Sequence, residues 1–283
     1  MRVISFAAVG HVTADLLLGA GAVEARTPGG SALYAGLAAV AFGARARVVT
    51  ACASDAAALA LLAAAGVEVR VSPSPVTTTF ENDHRSGVRV QRVLRVAEAI
   101  VAEPVDADVV FVCPVAGEVS GAVAVFGERG ALVGVGLQGM LRTIGPDGDV
   151  GRRRELDPAA LVGADAAFVS REDLAGDAGL ERSLADRVPL LVVTDGAAGA
   201  TLYRAGEAAH VAAAVAREID PTGAGDLFAT AFLVAMARGA DSMEAAIEGA
   251  CAGAIAVEAI GTAAVAGLAG LAARRAAWGR ANG

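Results

Sequence analysis

The sequence predicts an α/β fold: a doubly wound, mainly parallel sheet with helices on both faces and a small β lid. Three observations predict it. Short apolar runs rich in β-branched residues recur between helical or loop segments, the pattern of strands covered on both faces by crossover helices. Two segments, 77–81 and 88–96, instead alternate polar and apolar residues, as a hairpin with one wet face does. From residue 224 onward the pattern is helical throughout.

The elements follow in order. Residues 3–9 are apolar and β-branched and end at Gly10, a buried strand. Residues 31–42 read as a helix entered through Pro28-Gly29-Gly30 and stopped by Gly43. A short strand at 47–51 follows. Ser54 and Asp55 are placed to cap a helix that runs to Ala65 and stops at Gly66. Residues 67–71 are the next strand, and the hairpin of 77–96 turns at Ser86-Gly87. Apolar runs at 108–112, 131–135, 166–169 and 190–194 continue the parallel sheet. Segments 200–203 and 208–211 pair around Gly206, and 224–238, 242–259 and 263–277 read as helices. No linker, tail or repeat interrupts the chain. We expect one domain over 1–283, with a lid from about 15–26 and 77–96.

Composition narrows the chemistry. The chain has 283 residues and its apolar fraction is 55%, much of it alanine and glycine. No apolar run of membrane-spanning length lacks a polar break, and the first residues read as a strand rather than a leader, so a cytoplasmic protein without membrane partners is expected. A net charge of −8 and no basic patch argue against nucleic acid. Cys52, Cys113 and Cys251 are odd in number and far apart, as reduced thiols are. His11, His84 and His210 lack metal-ligand spacing. All 23 basic residues are arginine. A Walker loop, a protein-kinase ATP site and a Schiff base each need a lysine, so a phosphate here is held by backbone N–H groups, arginine or metal.

One segment fits that requirement: Asp220-Pro221-Thr222-Gly223-Ala224-Gly225-Asp226, before an apolar helix. Its glycines admit an anion to the unpaired N–H groups of a helix start, where the dipole favours negative charge. Asp226 at that start can accept the proton of an attacking hydroxyl. A glycine turn with Asp226 as a helix cap is the alternative reading. A second glycine motif, Gly134-Val135-Gly136-Leu137-Gln138-Gly139, fits a dinucleotide fingerprint with Glu155 near the ribose position, but Pro146, Asp147 and Gly148 leave little room for its helix.

The segment Asp220–Asp226 with its helix resembles the C-terminal signature of the ribokinase (PfkB) family of carbohydrate kinases. Three further segments resemble that family in order: Gly10-His11-Val12-Thr13-Ala14-Asp15, Pro28-Gly29-Gly30-Ser31 and Thr194-Asp195-Gly196-Ala197-Ala198-Gly199. The resemblance implies Asp226 as catalytic base and Gly223, Ala224 and Gly225 as the anion hole. It implies nucleotide binding by Thr194, Gly196 and Gly199, and substrate binding by Asp15, Gly29 and Gly30. Gln138 and Arg142 fall in a segment that lines the family's site, with Gly136 where an aspartate is frequent. Ser170-Arg171-Glu172-Asp173 stands where the family organises magnesium, giving Asp173 that role beside a plain capping role for Ser170. Asp220 is implied as a ligand of a monovalent cation such as K⁺, with Pro221 in place of the family threonine.

The lid segment Thr77-Thr78-Thr79-Phe80-Glu81-Asn82, with Arg89 and Gln91, is similar to the branch containing myo-inositol kinases. Asn82, Arg89, Asp15 and Gln138 then supply hydrogen bonds to a hydroxyl-rich acceptor. The resemblance implies ATP and Mg²⁺, a small polyol substrate, and a monomer or lid-mediated homodimer. A nucleoside kinase of the same fold and a non-catalytic binding protein are the alternatives.

Overall fold

The strands expected to be buried fall into one sheet. The structure is a computed structural model that describes residues 2–18, 23–83 and 90–282. Its strands are β1 (Ser5–Val9), β2 (Thr13–Leu18), β3 (Val23–Gly29), β4 (Arg45–Cys52), β5 (Glu68–Pro73), β6 (Thr78–Asp83), β7 (Val90–Arg95), β8 (Ile100–Val101), β9 (Val109–Val112), β10 (Val119–Ser120), β11 (Leu132–Gly136), β12 (Arg142–Ile144), β13 (Val150–Arg152), β14 (Ala166–Ser170), β15 (Leu191–Thr194), β16 (Ala200–Arg204) and β17 (Glu207–Val211). The helices are α1 (Ser31–Ala41), α2 (Ala57–Ala64), α3 (Gln138–Leu141), α4 (Arg171–Leu174), α5 (Ala178–Ala185), α6 (Ala224–Ala237), α7 (Ser242–Ala256) and α8 (Leu271–Asn282).

The nine-stranded sheet has the order β17-β16-β15-β14-β11-β9-β1-β4-β5. It is parallel except for the antiparallel hairpin β16–β17 at one edge. Its residues divide by parity, as a pleated strand requires. Phe6, Ala8, Val109 and Phe111 enter the core under α1, α6 and α7. Ala7, Val9, Val110 and Val112 enter the opposite core with Leu141, Leu180 and Leu184. Gly134 lets α6 lie close to the sheet, since a Cβ there would stand 2.5 Å from Leu233 Cδ1. The strand order reverses beside β1, flanked by β4 and β9, and such a switch point opens a crevice at the carboxyl ends of the strands.

The lid is a four-stranded sheet, β3-β2-β6-β7. Strands β2 and β6 run parallel at its centre, and β6–β7 is the expected hairpin. Its turn at Ser86-Gly87 lies outside the described residues. The lid interrupts the sheet twice, between β1 and α1 and between β5 and β9. The hairpin β12–β13 abuts it through an Arg92–Asp149 ion pair.

Three expectations need correction. Helix α2 starts at Ala57 after an uncapped Ala56, so Ser54 and Asp55 are not its caps; the turn before it is held by Ala53 N–H donating to Thr77 Oγ1. Helix α7 ends at Ala256, because the Val257 carbonyl is taken by the N–H groups of Ile219 and Asp220. The final helix is instead a 3-10 stretch, Gly261–Gly270, followed by α8. There the glycines set the approach to α7: a Cβ on Gly267 would stand 2.8 Å from Ile255 Cγ2. No helix among the described residues is long and apolar enough to cross a membrane.

Candidate active site

The segment 220–226 becomes the start of α6. Gly223 is the residue before the helix, with φ +81°, and Asp226 lies in the first turn. Nothing stands within 4 Å of a Cβ built on Gly225, so the turn is open there, while the Ala224 N–H donates to the Pro221 carbonyl at 3.2 Å. Helix α1 begins nearby at Ser31, whose hydroxyl donates to the Asp226 carboxylate. Burial raises the Asp226 pKa from its ordinary 3.8 to about 6, against the opposing pull of the Ser31 hydroxyl and the Arg142 charge. Asp226 is therefore mostly ionised at neutral pH and close enough to neutrality to take up a proton.

Asp226 lines a cleft of about 320 Å³ at the carboxyl ends of β9, β11, β14 and β15, under the lid. The same cleft gathers Asp15, Gly30, Gln138, Arg142, Asp173, Thr194, Gly223, Ala224 and Gly225. The Arg142 guanidinium lies 5.4 Å from the centre of the Phe80 ring, and its Nη1 donates to the Val115 carbonyl at 2.8 Å. Asp15 accepts from Thr13 Oγ1 at 2.9 Å. Gly29 and Gly30 bring the returning lid strand against this pair. A Cβ on Gly29 would stand 2.4 Å from Asp15 Oδ2, and one on Gly30, whose φ is +94°, 2.4 Å from the His11 carbonyl oxygen.

Asn82 does not line the cleft. It is buried beside it and accepts from Gln91 Nε2 at 2.9 Å, and it is Gln91 that reaches the cleft. Arg89 lies outside the described residues.

A second cavity of about 400 Å³ lies on the other side of the α6 turn. Thr194, Gly196 and Gly199 form one wall. Gly199 is required there, because a Cβ would stand 2.1 Å from the Val211 carbonyl oxygen at φ +98°. The remaining walls are small and mostly apolar: Ala213, Ala214, Val215, Ala216, Phe228, Ala250, Gly253, Ala254 and Val257, with Glu218. The two cavities share Thr194, Pro221, Ala224 and Gly225.

Asp173 and Glu172 both line the first cleft. Ser170 caps α4, and its hydroxyl donates to Asp173 Oδ2 at 2.6 Å, so the capping arrangement is present. Asp220 accepts from Thr222 N–H and Gly261 N–H, bracing the α6 entry against the 3-10 stretch. No cluster of three or more histidine, cysteine, aspartate or glutamate residues suited to a metal occurs among the described residues.

The Gly134–Gly139 motif serves packing. A Cβ on Gly139 would stand 2.2 Å from the Pro114 carbonyl oxygen, and the helix that starts within the motif, α3, has only 4 residues. Sequence reasoning missed Ser31, Thr13 and the remaining walls of the second cavity. Ser31 follows a recognised Gly-Gly and was legible as a site neighbour; the alanines of α7 were not, since alanine marks helix equally well with or without a cavity beside it.

Residues 159–266 match the pfkB family carbohydrate kinase model. The inositol 3-kinase of Zea mays is 36% identical over 129 residues, covering 45% of this chain and 34% of the maize protein. The match thus spans about a third of that relative's length. A solved pyrophosphate-dependent kinase of the ribokinase family, complexed with a pyrophosphate analog and myo-inositol, superposes with a TM-score of 0.77 at 22% identity, covering 90% of this chain and 96% of that one. Arabidopsis thaliana ribokinase complexed with ribose and ATP superposes with a TM-score of 0.74 at 18% identity, covering 95% and 99%. The whole chain therefore has the ribokinase-like fold, and its residues 159–266 carry the similarity to pfkB family carbohydrate kinases.

Proposed function

We propose that this chain transfers the γ-phosphate of ATP to a hydroxyl of a small sugar or cyclitol, a myo-inositol-like polyol being favoured. One observation carries the reading: two cavities meet at the first turn of α6, with Asp226 on the side of the polar cleft. The acceptor lies under the lid, hydrogen-bonded by Asp15, Gln91 and Gln138. Asp226 takes the proton of the attacking hydroxyl. The N–H groups of Gly223, Ala224 and Gly225 neutralise charge on the transferring group, with Arg142 beside them. Asp226, Gly223, Ala224 and Gly225 are the catalytic set, and Thr194, Gly196 and Gly199 hold the nucleotide.

The second cavity favours ATP over pyrophosphate as donor. Its volume of about 400 Å³ and its apolar walls suit a nucleobase, for which pyrophosphate has no counterpart. A nucleoside acceptor is less well served by the first cleft, because the Arg142 guanidinium already lies against the face of Phe80.

Asp173 and Glu172 offer hard oxygen ligands on the cleft wall and fit Mg²⁺ held mainly through phosphate and water. Magnesium there would offset phosphate charge. Asp220 is proposed as a ligand of a monovalent cation such as K⁺, beside its bracing role. A monomer and a lid-mediated homodimer are separated by light scattering; among the described residues, Val23, Val90, Leu94 and Val96 are the exposed large apolar lid residues a dimer would cover.

The test is a panel of sugars, cyclitols and nucleosides with ATP or pyrophosphate, with products identified by mass spectrometry. Phosphorylation of a polyol by ATP is expected. Turnover with pyrophosphate alone would overturn the donor, and turnover only with nucleosides would overturn the acceptor. No turnover with either donor would leave a binding protein.

A further inference from the structure

The lid and the main sheet are joined by four passages of chain, and all four meet at His11. The first, from β1 to β2, contains His11 itself. The second, from β3 to α1, passes Gly30 against the His11 carbonyl oxygen. The third, from β5 to β6, ends at Thr78, whose Oγ1 lies 2.7 Å from His11 Nδ1. The fourth, from β7 to β8, contributes the Glu98 carbonyl, 2.9 Å from His11 Nε2, and the Ala97 N–H, which donates to Thr78 Oγ1 at 2.9 Å. His11 and Thr78 are fully buried.

One proton arrangement satisfies every group. The Glu98 carbonyl can only accept, so Nε2 carries the ring proton. Nδ1 then accepts from Thr78, and Thr78 accepts from Ala97. The His11 backbone N–H donates to Glu118 Oε1 at 2.8 Å. The same buried carboxylate accepts from Val115 and Ala116 N–H, which fixes the cleft wall whose Val115 carbonyl holds Arg142. The chain of contacts therefore runs from the lid root, through His11 and Glu118, to Arg142.

We propose that His11 is a positioning residue, acting through Thr78 and Glu118 to hold the lid in register over the acceptor half of the cleft. It touches neither cavity. Its effect falls on Asp15 and Gln91, which ride on β2 and β7, and on Arg142 through the cleft wall. The donor cavity, walled by the β15–β16 turn, α6 and α7, has no lid residue and is outside its reach.

The kinetic half of this inference rests on the kinase reading; the structural half does not. Thr78→Val removes the hydroxyl with little change in volume and strands His11 Nδ1 and the Ala97 N–H. Thr78→Ser restores the hydroxyl, and His11→Asn is the harsher variant. Segment-resolved hydrogen–deuterium exchange is read together with steady-state kinetics. In Thr78→Val, exchange in β2, β6 and β7 rises about tenfold while β9 and β11 hold, as loss of a buried hydrogen bond confined to the lid root predicts. The KM for the acceptor rises about tenfold, the KM for ATP stays within about twofold, and Thr78→Ser restores both readouts.

Exchange that is unchanged, or that rises equally in β9 and β11, overturns the inference. So does local loosening in an active enzyme with an unaltered acceptor KM. If the wild type transfers phosphate from neither donor, the kinase reading falls, and the exchange pattern alone decides whether His11 holds the lid.

Discussion

The ring of Tyr34 lies directly under Gly223, so close that a Cβ on Gly223 would stand 2.5 Å from the ring carbon Cδ1. The phenol is buried near Asp220, Asp226 and Asp15, and burial with these charges pushes its pKa well above the usual value. Helix α1 thus supplies the floor on which the α6 turn rests.

Gly223→Ala should fail on two counts. The left-handed φ of +81° disfavours a side chain, and the ring blocks the new methyl. Turnover should fall about 100-fold as the N–H groups of the turn are displaced. A melting curve should show a loss of only a few degrees, marking a local defect; an active Gly223→Ala protein would contradict this account of the turn.

Asp226→Asn should lose turnover by about 10²–10⁴-fold while retaining acceptor binding. The same substitution should stabilise the fold. Because the folded-state pKa is raised from 3.8 to about 6, the native state binds more protons than the unfolded chain between those values. Stability is therefore lost as pH rises through that window, and the ionised carboxylate is a burden above about pH 6. The melting-temperature gain of Asp226→Asn should be absent near pH 3.5 and full by pH 7, at about 2–4 °C after allowance for the open cleft.

The acid limb of wild-type turnover should report the same group, falling as pH drops through about 6. Ser31→Ala removes a hydroxyl that favours the ionised carboxylate, so the limb should move to higher pH. Arg142→Ala should move it in the same direction by removing a positive charge. A pH–rate profile of each variant checks the sign; a limb displaced downward would remove Asp226 as the titrating base.

Gly253→Leu should separate the donor from the acceptor. A Cβ at Gly253 would make an ordinary 3.5 Å contact with the Ala224 carbonyl oxygen, so α7 tolerates it, and the rest of the side chain must enter the second cavity. The KM for ATP should rise at least about tenfold, with the acceptor KM within about twofold. Equal effects on both substrates would argue against a nucleotide in that cavity.

The parallel strands were legible because burial on both faces leaves them continuously apolar, as in Val109–Val112 and residues 191–193. The glycine turn that starts α6 was legible because its glycines and Asp226 are adjacent in sequence. What depends on distant partners was not. Nothing near Ser54 shows that Thr77 will hold the turn before α2, and nothing near Ser31 shows that its hydroxyl will meet Asp226. The segment 261–270 carries alanine and glycine, whose short side chains do not distinguish a 3-10 turn from an α-turn. The second cavity escaped for a related reason: it is a shape left between small residues, not a motif.

The lid is built from two separate insertions whose central strands, β2 and β6, are hydrogen-bonded to each other. It cannot be moved between relatives as a single cassette. A chimera that receives only the second insertion from another protein of this fold must still match the β2 edge of the host, residue by residue from Thr13↔Thr78 to Leu18↔Asp83. Exchange of acceptor preference by grafting therefore requires both segments together, and the two halves of the lid must change in concert if either is to change at all.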